Sequence, residues 1–261
     1  MAAFAAGTLL LTTACATTDP APGLALRQPV VLLGEVHDNA AQHALRLQAF
    51  ETMLARGARP ALVMEQFDRE HQAAIDARRS ASPPPDADAL IAAGQGAAGW
   101  HWPFYRPFVA QALAHDLPIV AANVGRAEAR RVMADGLAAH GFDADVPADL
   151  LAAQAAAIEA SHCGMVGAEQ AARMALAQVA RDQAMARALQ AHADRGAVLL
   201  AGNGHVRTDI GVPRWLDGTT RARSEAIGVL EEGDATTAFD RVVVTPAQPR
   251  SDPCAGIGPR R

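Results

Sequence analysis

Apolar positions along the chain follow two alternating patterns. Residues 29–33 (PVVLL) form a continuous β-branched and leucine run that stops at Gly34. A run with no polar alternate predicts a strand buried on both faces. Next, Ala41, Ala44, Leu45, Leu47, Phe50, Met53 and Leu54 recur at helical spacing, with Asp38 or Asn39 as the cap and Gly57 as the stop. Residues 61–64 (ALVM) repeat the strand pattern and close on Glu65. A helix over 68–79, the breaker SPPP at 82–85, a short helix over 86–93 and the Gly-rich GQGAAGW follow. The helical period resumes over 105–115, Pro118–Ala122 reads as a third strand, and 126–139 as a further helix. Strand, helix, strand in this order implies parallel pairing through right-handed crossovers.

From Phe142 to about Arg195 the strand signal disappears, leaving Ala-rich helix over 147–160 and 167–194 around SHCGMVG. Ala197–Leu200 restores the buried-strand pattern, and 225–230 and 239–245 read as the last strands. The expectation is an α/β fold, a mostly parallel sheet flanked by helices, with a small helical lobe. Residues 27–140 and 196–261 make the core domain and 141–195 the lobe.

At 261 residues and 50% hydrophobic, the chain has enough apolar surface for one substantial core. A net charge of -5 with no basic cluster argues against nucleic-acid binding. All 23 basic residues are Arg, which excludes Schiff-base chemistry and a P-loop lysine. Residues 3–14 form a short apolar run, too short to span a bilayer, that ends at Cys15 in the order Leu11, Thr12, Thr13, Ala14, Cys15. That order resembles a bacterial lipobox. Residues 1–26 are therefore read as a signal and tether, with Cys15 the lipidated residue and the protein anchored in the bacterial envelope. Localisation is expected at the outer membrane, facing the periplasm. Export makes Cys163 and Cys254 an even pair in an oxidising compartment, and a disulfide between them is expected, two buried thiols being the alternative.

In open α/β sheets, ligands sit outside the carboxyl ends of the strands. The residues there are Gly34–Asn39, Glu65–Arg69, Asn123–Arg126 and Gly202–His205. Gly34 to His37 and Gly202 to His205 share the form Gly-x-x-His, in which Gly permits a tight exit from the strand and His supplies a ligand or base. Glu35, His37, Glu65 and His205 thus form a candidate hydrolytic set that would bind a divalent metal and activate water, with Arg106 stabilising an oxyanion.

The motifs GEVHDN (34–39), LVMEQFDR (62–69), WPFYRPF (102–108), SHCGM (161–165), AGNGHVRTDIGVP (201–213) and DPC (252–254) resemble, in order, those of the ChaN-like haem-binding uptake lipoproteins. Their wider superfamily includes the Tiki proteases and erythromycin esterase. The resemblance implies ferric haem b held by a tyrosine, two haems face to face in a homodimer, and a role in haem and iron uptake beside an outer-membrane haem receptor. By motif the iron ligand would be Tyr105, the chain's single tyrosine, amid Trp100, Trp102, Phe104 and Phe108. A phenolate favours ferric iron and leaves haem releasable. The family's propionate-binding lysine has no counterpart here, so Arg106 or another Arg and His162 would substitute, with Trp102 and His101 as further contacts. The hydrolase stands as the alternative function.

Overall fold

The computed structural model describes residues 23–96, 99–235, 238–252 and 254–255. Cys15 and the segment before residue 23 lie outside the described residues. Six strands make one all-parallel sheet: β1 (Val30–Leu33), β2 (Ala61–Asp68), β3 (Ile119–Asn123), β4 (Ala197–Leu200), β5 (Ser224–Glu231) and β6 (Arg241–Thr245). Their order is β3-β2-β4-β1-β5-β6, so β1 lies between β4 and β5. The four residues of β1 and of β4 are all buried, as a strand covered on both faces requires. Alternate residues serve different layers. Val31, Leu33, Leu62, Met64, Val198 and Leu200 pack towards α1 (Ala40–Ala55) and α4 (Trp102–Ala114), whereas Val30, Leu32, Val63 and Leu199 pack towards α7 (Ala168–Ala191).

Helices α2 (Gln72–Arg79) and α3 (Ala87–Ala93) complete the first layer, and α5 (Arg126–Asp135) joins α7 on the second. The Ala-rich region is a long hairpin of α6 (Ala148–Ser161) and α7. Its tip has a small cluster of its own, Ile158, Ala171 and Ala175. The second half of α7 instead covers the sheet through Met185, Ala186 and Leu189. Short helices α8 (Asn203–Val206) and α9 (Gly218–Ala222) follow β4, where the sequence pattern gave no helical period.

Three readings sharpen or shift in detail. Asn39 rather than Asp38 caps α1, accepting from the amides of Ala41 and Gln42. The buried face of α1 is rotated from the apolar reading: Ala41 and Ala44 are exposed, while Gln42, His43 and Arg46 are buried with Phe50 and Met53. Strand β2 also runs past Glu65 to Asp68, with a register shift against β3 between Met64 and Asp68. Such irregularities re-aim side chains at a sheet end. The expected disulfide is present between Cys163, at the hairpin tip, and Cys254, in the tail after β6.

Candidate functional site at the strand ends

The carboxyl ends of β1, β2, β3 and β4 open into a cleft of about 1520 Å³. Glu35, His37, Asp38, Glu65, Asp68 and Gly202–His205 line it from the strand ends, Trp100, His101 and Phe104 from the start of α4, and Arg126, Arg130 and Arg181 from α5 and α7.

Glu35 organises one half. Its side chain is fully buried and engages Arg46, whose side chain is also fully buried. The same carboxylate accepts from the Tyr105 hydroxyl and, at 2.9 Å, from Nδ1 of His37. An unpaired carboxylate or guanidinium at this depth would cost several kcal/mol, so the pairing explains why both are tolerated. Arg46 also donates to the Leu33 carbonyl at 3.1 Å. Burial pulls its pKa down to about 10 and pushes the Tyr105 phenol above its ordinary value. His43 stacks on Phe104 with ring centroids 4.2 Å apart and donates from Nε2 to the His37 carbonyl. Its burial drops the imidazole pKa to about 4.

The other half is built on α7. His205 Nδ1 lies 2.6 Å from Asp182 Oδ1, and its Nε2 lies 3.5 Å from Glu65 Oε1. Glu65 is held in turn by the Gly202 amide at 2.8 Å. Burial raises the Asp182 carboxyl to about 6. Burial also opposes the His205 cation, yet the Glu65 and Asp182 carboxylates outweigh it and hold that pKa above the usual imidazole value. Gln154 completes Asp182, donating at 3.2 Å.

The two halves meet at Gly202. A Cβ there would stand 2.8 Å from Cε1 and 3.0 Å from Nε2 of His37, so the imidazole occupies space that any other residue would fill. The donor atoms of Glu35, His37, Glu65 and His205 do not draw together as one metal site. Among the described residues only Asp68, Glu70 and His71 bring three such atoms within 4.8 Å of one another.

The residues marked out by the WPFYRPF and SHCGM motifs are placed differently. Tyr105 and Trp102 do not line the cleft. Helix α4 turns Tyr105, Phe108, Val109 and Ala112 onto the sheet, and Tyr105 has no exposed surface. Trp102 packs on Phe67 at 5.0 Å between ring centroids. Arg106 falls on the opposite side of α4, exposed and bonded through both Nε and Nη2 to Asp88. His162 ends α6, its Nδ1 2.8 Å from the Ile158 carbonyl. Of that set only His101 reaches the cleft, whereas Glu35, His37, Glu65 and His205 all do.

Sequence reasoning missed Arg46, His43 and Asp182. Each leaves a signal: a charged or polar residue on the buried stripe of a helix, at the spacing of Ala49 and Phe50 on α1 or of Val179 and Ala186 on α7.

Fold and site together define an α/β protein with a large cleft where a parallel sheet ends. The profile of the haem-binding uptake family of the Tiki superfamily, ChaN, matches residues 24–216, and the chain belongs to that family. Among solved structures it is similar to ChaN of Campylobacter jejuni, described as binding haem cofacially, with 20% identity, a TM-score of 0.68, and coverage of 82% of this chain and 86% of that one. An erythromycin esterase, EreC, aligns at 11% identity and TM-score 0.45 over 82% of this chain and 74% of its own. A Bacillus cereus protein aligns at 10% identity and TM-score 0.42 over 77% and 65%. No curated protein sequence matches the chain.

Proposed function

We propose that the protein binds ferric haem in the strand-end cleft and serves haem uptake from the bacterial envelope, anchored through Cys15. The observation that carries this reading is the composition of one cavity in a member of the haem-binding uptake family. Drug-sized ligands occupy pockets of roughly 300–1,000 Å³. At about 1520 Å³ the cleft exceeds that range, and it combines flat rings with arginines. Trp100, Phe104 and Phe239 offer apolar faces suited to a porphyrin. Arg126, Arg130 and Arg181 have no carboxylate within 4.0 Å among the described residues and suit the two propionates. They take the role expected of Arg106, which Asp88 already occupies. Haem supplies the iron centre, and the protein's part is to hold and release it. A cofacial pair of haems would need two copies of the chain with their clefts facing, so the homodimer belongs to this proposal, as does delivery to or from an outer-membrane receptor.

Haemin titration of the purified full chain, read by absorption and sedimentation, tests the reading. Saturable binding with a shift to a dimer supports it; absence of saturable binding overturns it. The two carboxylate-backed histidines flanking Glu65 favour a second reading, water activation for hydrolysis. Esterase and peptidase activity lost in His205→Ala while haem binding persists would decide for it.

A further inference from the structure

Each of the four central strands is entered past an arginine. In sheet order these are Arg59 two residues before β2, Arg195 two before β4, Arg27 three before β1 and Arg223 immediately before β5. Parallel register brings their segments to one edge: the Ala61 amide donates to the Gly196 carbonyl at 2.9 Å, Ala197 to Pro29 at 2.9 Å and Val30 to Arg223 at 3.3 Å. Neighbouring strands lie about 4.8 Å apart, so the four cations form a row across the amino-terminal end of the sheet. Arg56, at the end of α1, joins it. Helices return antiparallel to the strands, so α1 and α7 end at this face, where the negative end of a helix dipole favours cations. At the carboxyl ends of β1, β2 and β5 stand Glu35, Asp68 and Glu231 instead.

The fold does not consume these arginines. Arg27, Arg56 and Arg195 are exposed, and none has a carboxylate within 4.0 Å among the described residues. Arg59 is exposed too, with Nη1 on the Leu54 and Ala58 carbonyls. The carboxylates nearby are otherwise engaged: Asp194 reaches Arg223 at 3.7 Å, Asp217 caps α9, and Asp116 is bonded to Arg79 at the β3 end. This face keeps a surplus of positive charge on a chain whose net charge is -5. No stretch of sequence shows it, because the cations come from four separate turns.

The next step rests on the envelope reading, in which Cys15 anchors the chain. Leu24 and Leu26 are buried in the core, and the Ala25 carbonyl accepts from Arg241 at 2.7 Å, so the chain is pinned to the domain from Leu24 onward. Arg27 is the first exposed cation after that point. Residues 15–22 can reach at most about 28 Å, which keeps an anchoring bilayer beside the domain. We infer that the arginine row at the amino-terminal end of the sheet docks on anionic phospholipid head groups and turns the strand-end cleft, at the opposite end, away from the bilayer. A guanidinium meets a phosphate through two parallel N–H donors, and the negative potential of an anionic leaflet extends about 8–10 Å into the solvent. A lipid chain combined with a basic patch is one of the two-signal combinations that make attachment stable.

The test uses the purified full chain carrying Cys15→Ser, which cannot be lipidated, and cosedimentation with vesicles of phosphatidylcholine alone or mixed with phosphatidylglycerol. The apolar run at 3–14 serves both vesicles alike, so the difference between them reads charge. Stronger binding to the anionic vesicles is expected, lost at high salt. Arg27→Gln with Arg195→Gln should weaken it about 10-fold or more. Arg106→Gln with Arg173→Gln, which lowers the net charge equally at the starts of α4 and α7, should leave it unchanged. Thermal melting verifies that each variant folds. Equal binding to both vesicles, or equal losses in the two double variants, overturns the inference. The mass of the wild-type protein extracted from membranes reads lipid at Cys15 separately. A chain without lipid there refutes the anchor, while the preference for anionic vesicles stands or falls by itself.

Discussion

The two halves of the cleft solve one physical problem in opposite ways. On the α1 side, Glu35 is buried against a buried arginine, so its charge is neutralised in place and the imidazole beside it is free to face the cleft. On the α7 side, His205 is the one cation within ion-pair distance of buried Asp182 among the described residues, with Arg181 acting from farther off, and the proton between Asp182 and His205 does the neutralising. A buried carboxylate can therefore be balanced by a permanent charge or by a titrating one.

Removing the permanent charge should have the largest effect. Arg46→Met leaves Glu35 buried without its cation and should cost about 3–5 kcal/mol in chemical denaturation, because breaking one partner of a buried pair strands the other. A loss below about 1 kcal/mol would mean that Glu35 takes up a proton at little cost, and the contrast between the halves would vanish.

The pH response should come next, with opposite signs on the two sides. Burial holds His43 neutral down to about pH 4 against an ordinary 6.5, so its contribution to stability is complete above 6.5 and drains away as pH falls from 6.5 to 4. The shift corresponds to about 3 kcal/mol. Asp182 is raised from 3.8 to about 6, so the folded state binds its proton first, and that contribution, present at low pH, is lost as pH rises from 3.8 to 6. In stability measured from pH 7 to 4, His43→Gln should flatten the acid loss and Asp182→Asn should steepen it. Both variants moving the slope in one direction would refute the division.

A smaller effect belongs to the cleft's arginines. Arg126→Gln with Arg130→Gln should weaken haemin about 5- to 10-fold while leaving the dimethyl ester of the same haem unaffected, because a charge-assisted bond to a propionate is worth about 1.5–3 kcal/mol at best and less where water competes. Equal losses for both porphyrins would place these arginines in packing rather than in carboxylate recognition. The smallest effect, none measurable in haemin affinity, is expected for Arg106→Ala, whose guanidinium is spent on Asp88 outside the cleft.

How much of this was legible in the sequence depended on whether side-chain direction follows from position alone. Along a strand it does. The runs at 29–33, 61–64 and 197–200 located β1, β2 and β4, and the rule of strand carboxyl ends brought Glu35, His37, Glu65 and His205 to one cleft. Along a helix the phase decides. The WPFYRPF segment shows an aromatic cluster, but its 3.6-residue period turns Tyr105 inward and Arg106 outward, and that phase is set by which face meets the sheet. The same phase hid Arg46, which stands on a stripe otherwise read from Leu45 and Leu47. Helix α8 has only four residues, too few for a period to appear. The cysteine pairing was legible because oxidation state and even number constrain it without any reference to direction.

The disulfide has a mechanical meaning beyond its contribution to stability. Strand β6 is an edge strand, paired only to β5, and an edge is the seam along which a sheet is peeled. The tail beyond it is fastened twice: Arg250 to Glu231 and Asp38, then Cys254 to Cys163 at the hairpin tip, 91 residues back along the chain. A pull applied past Cys254 is therefore shared with the turn between α6 and α7 instead of falling on β6 alone. The covalent ring enclosed between the two cysteines contains α7, β4, β5 and β6, so one half of the cleft, with Asp182 and His205, sits inside a closed hoop while His37 and Glu35 sit outside it.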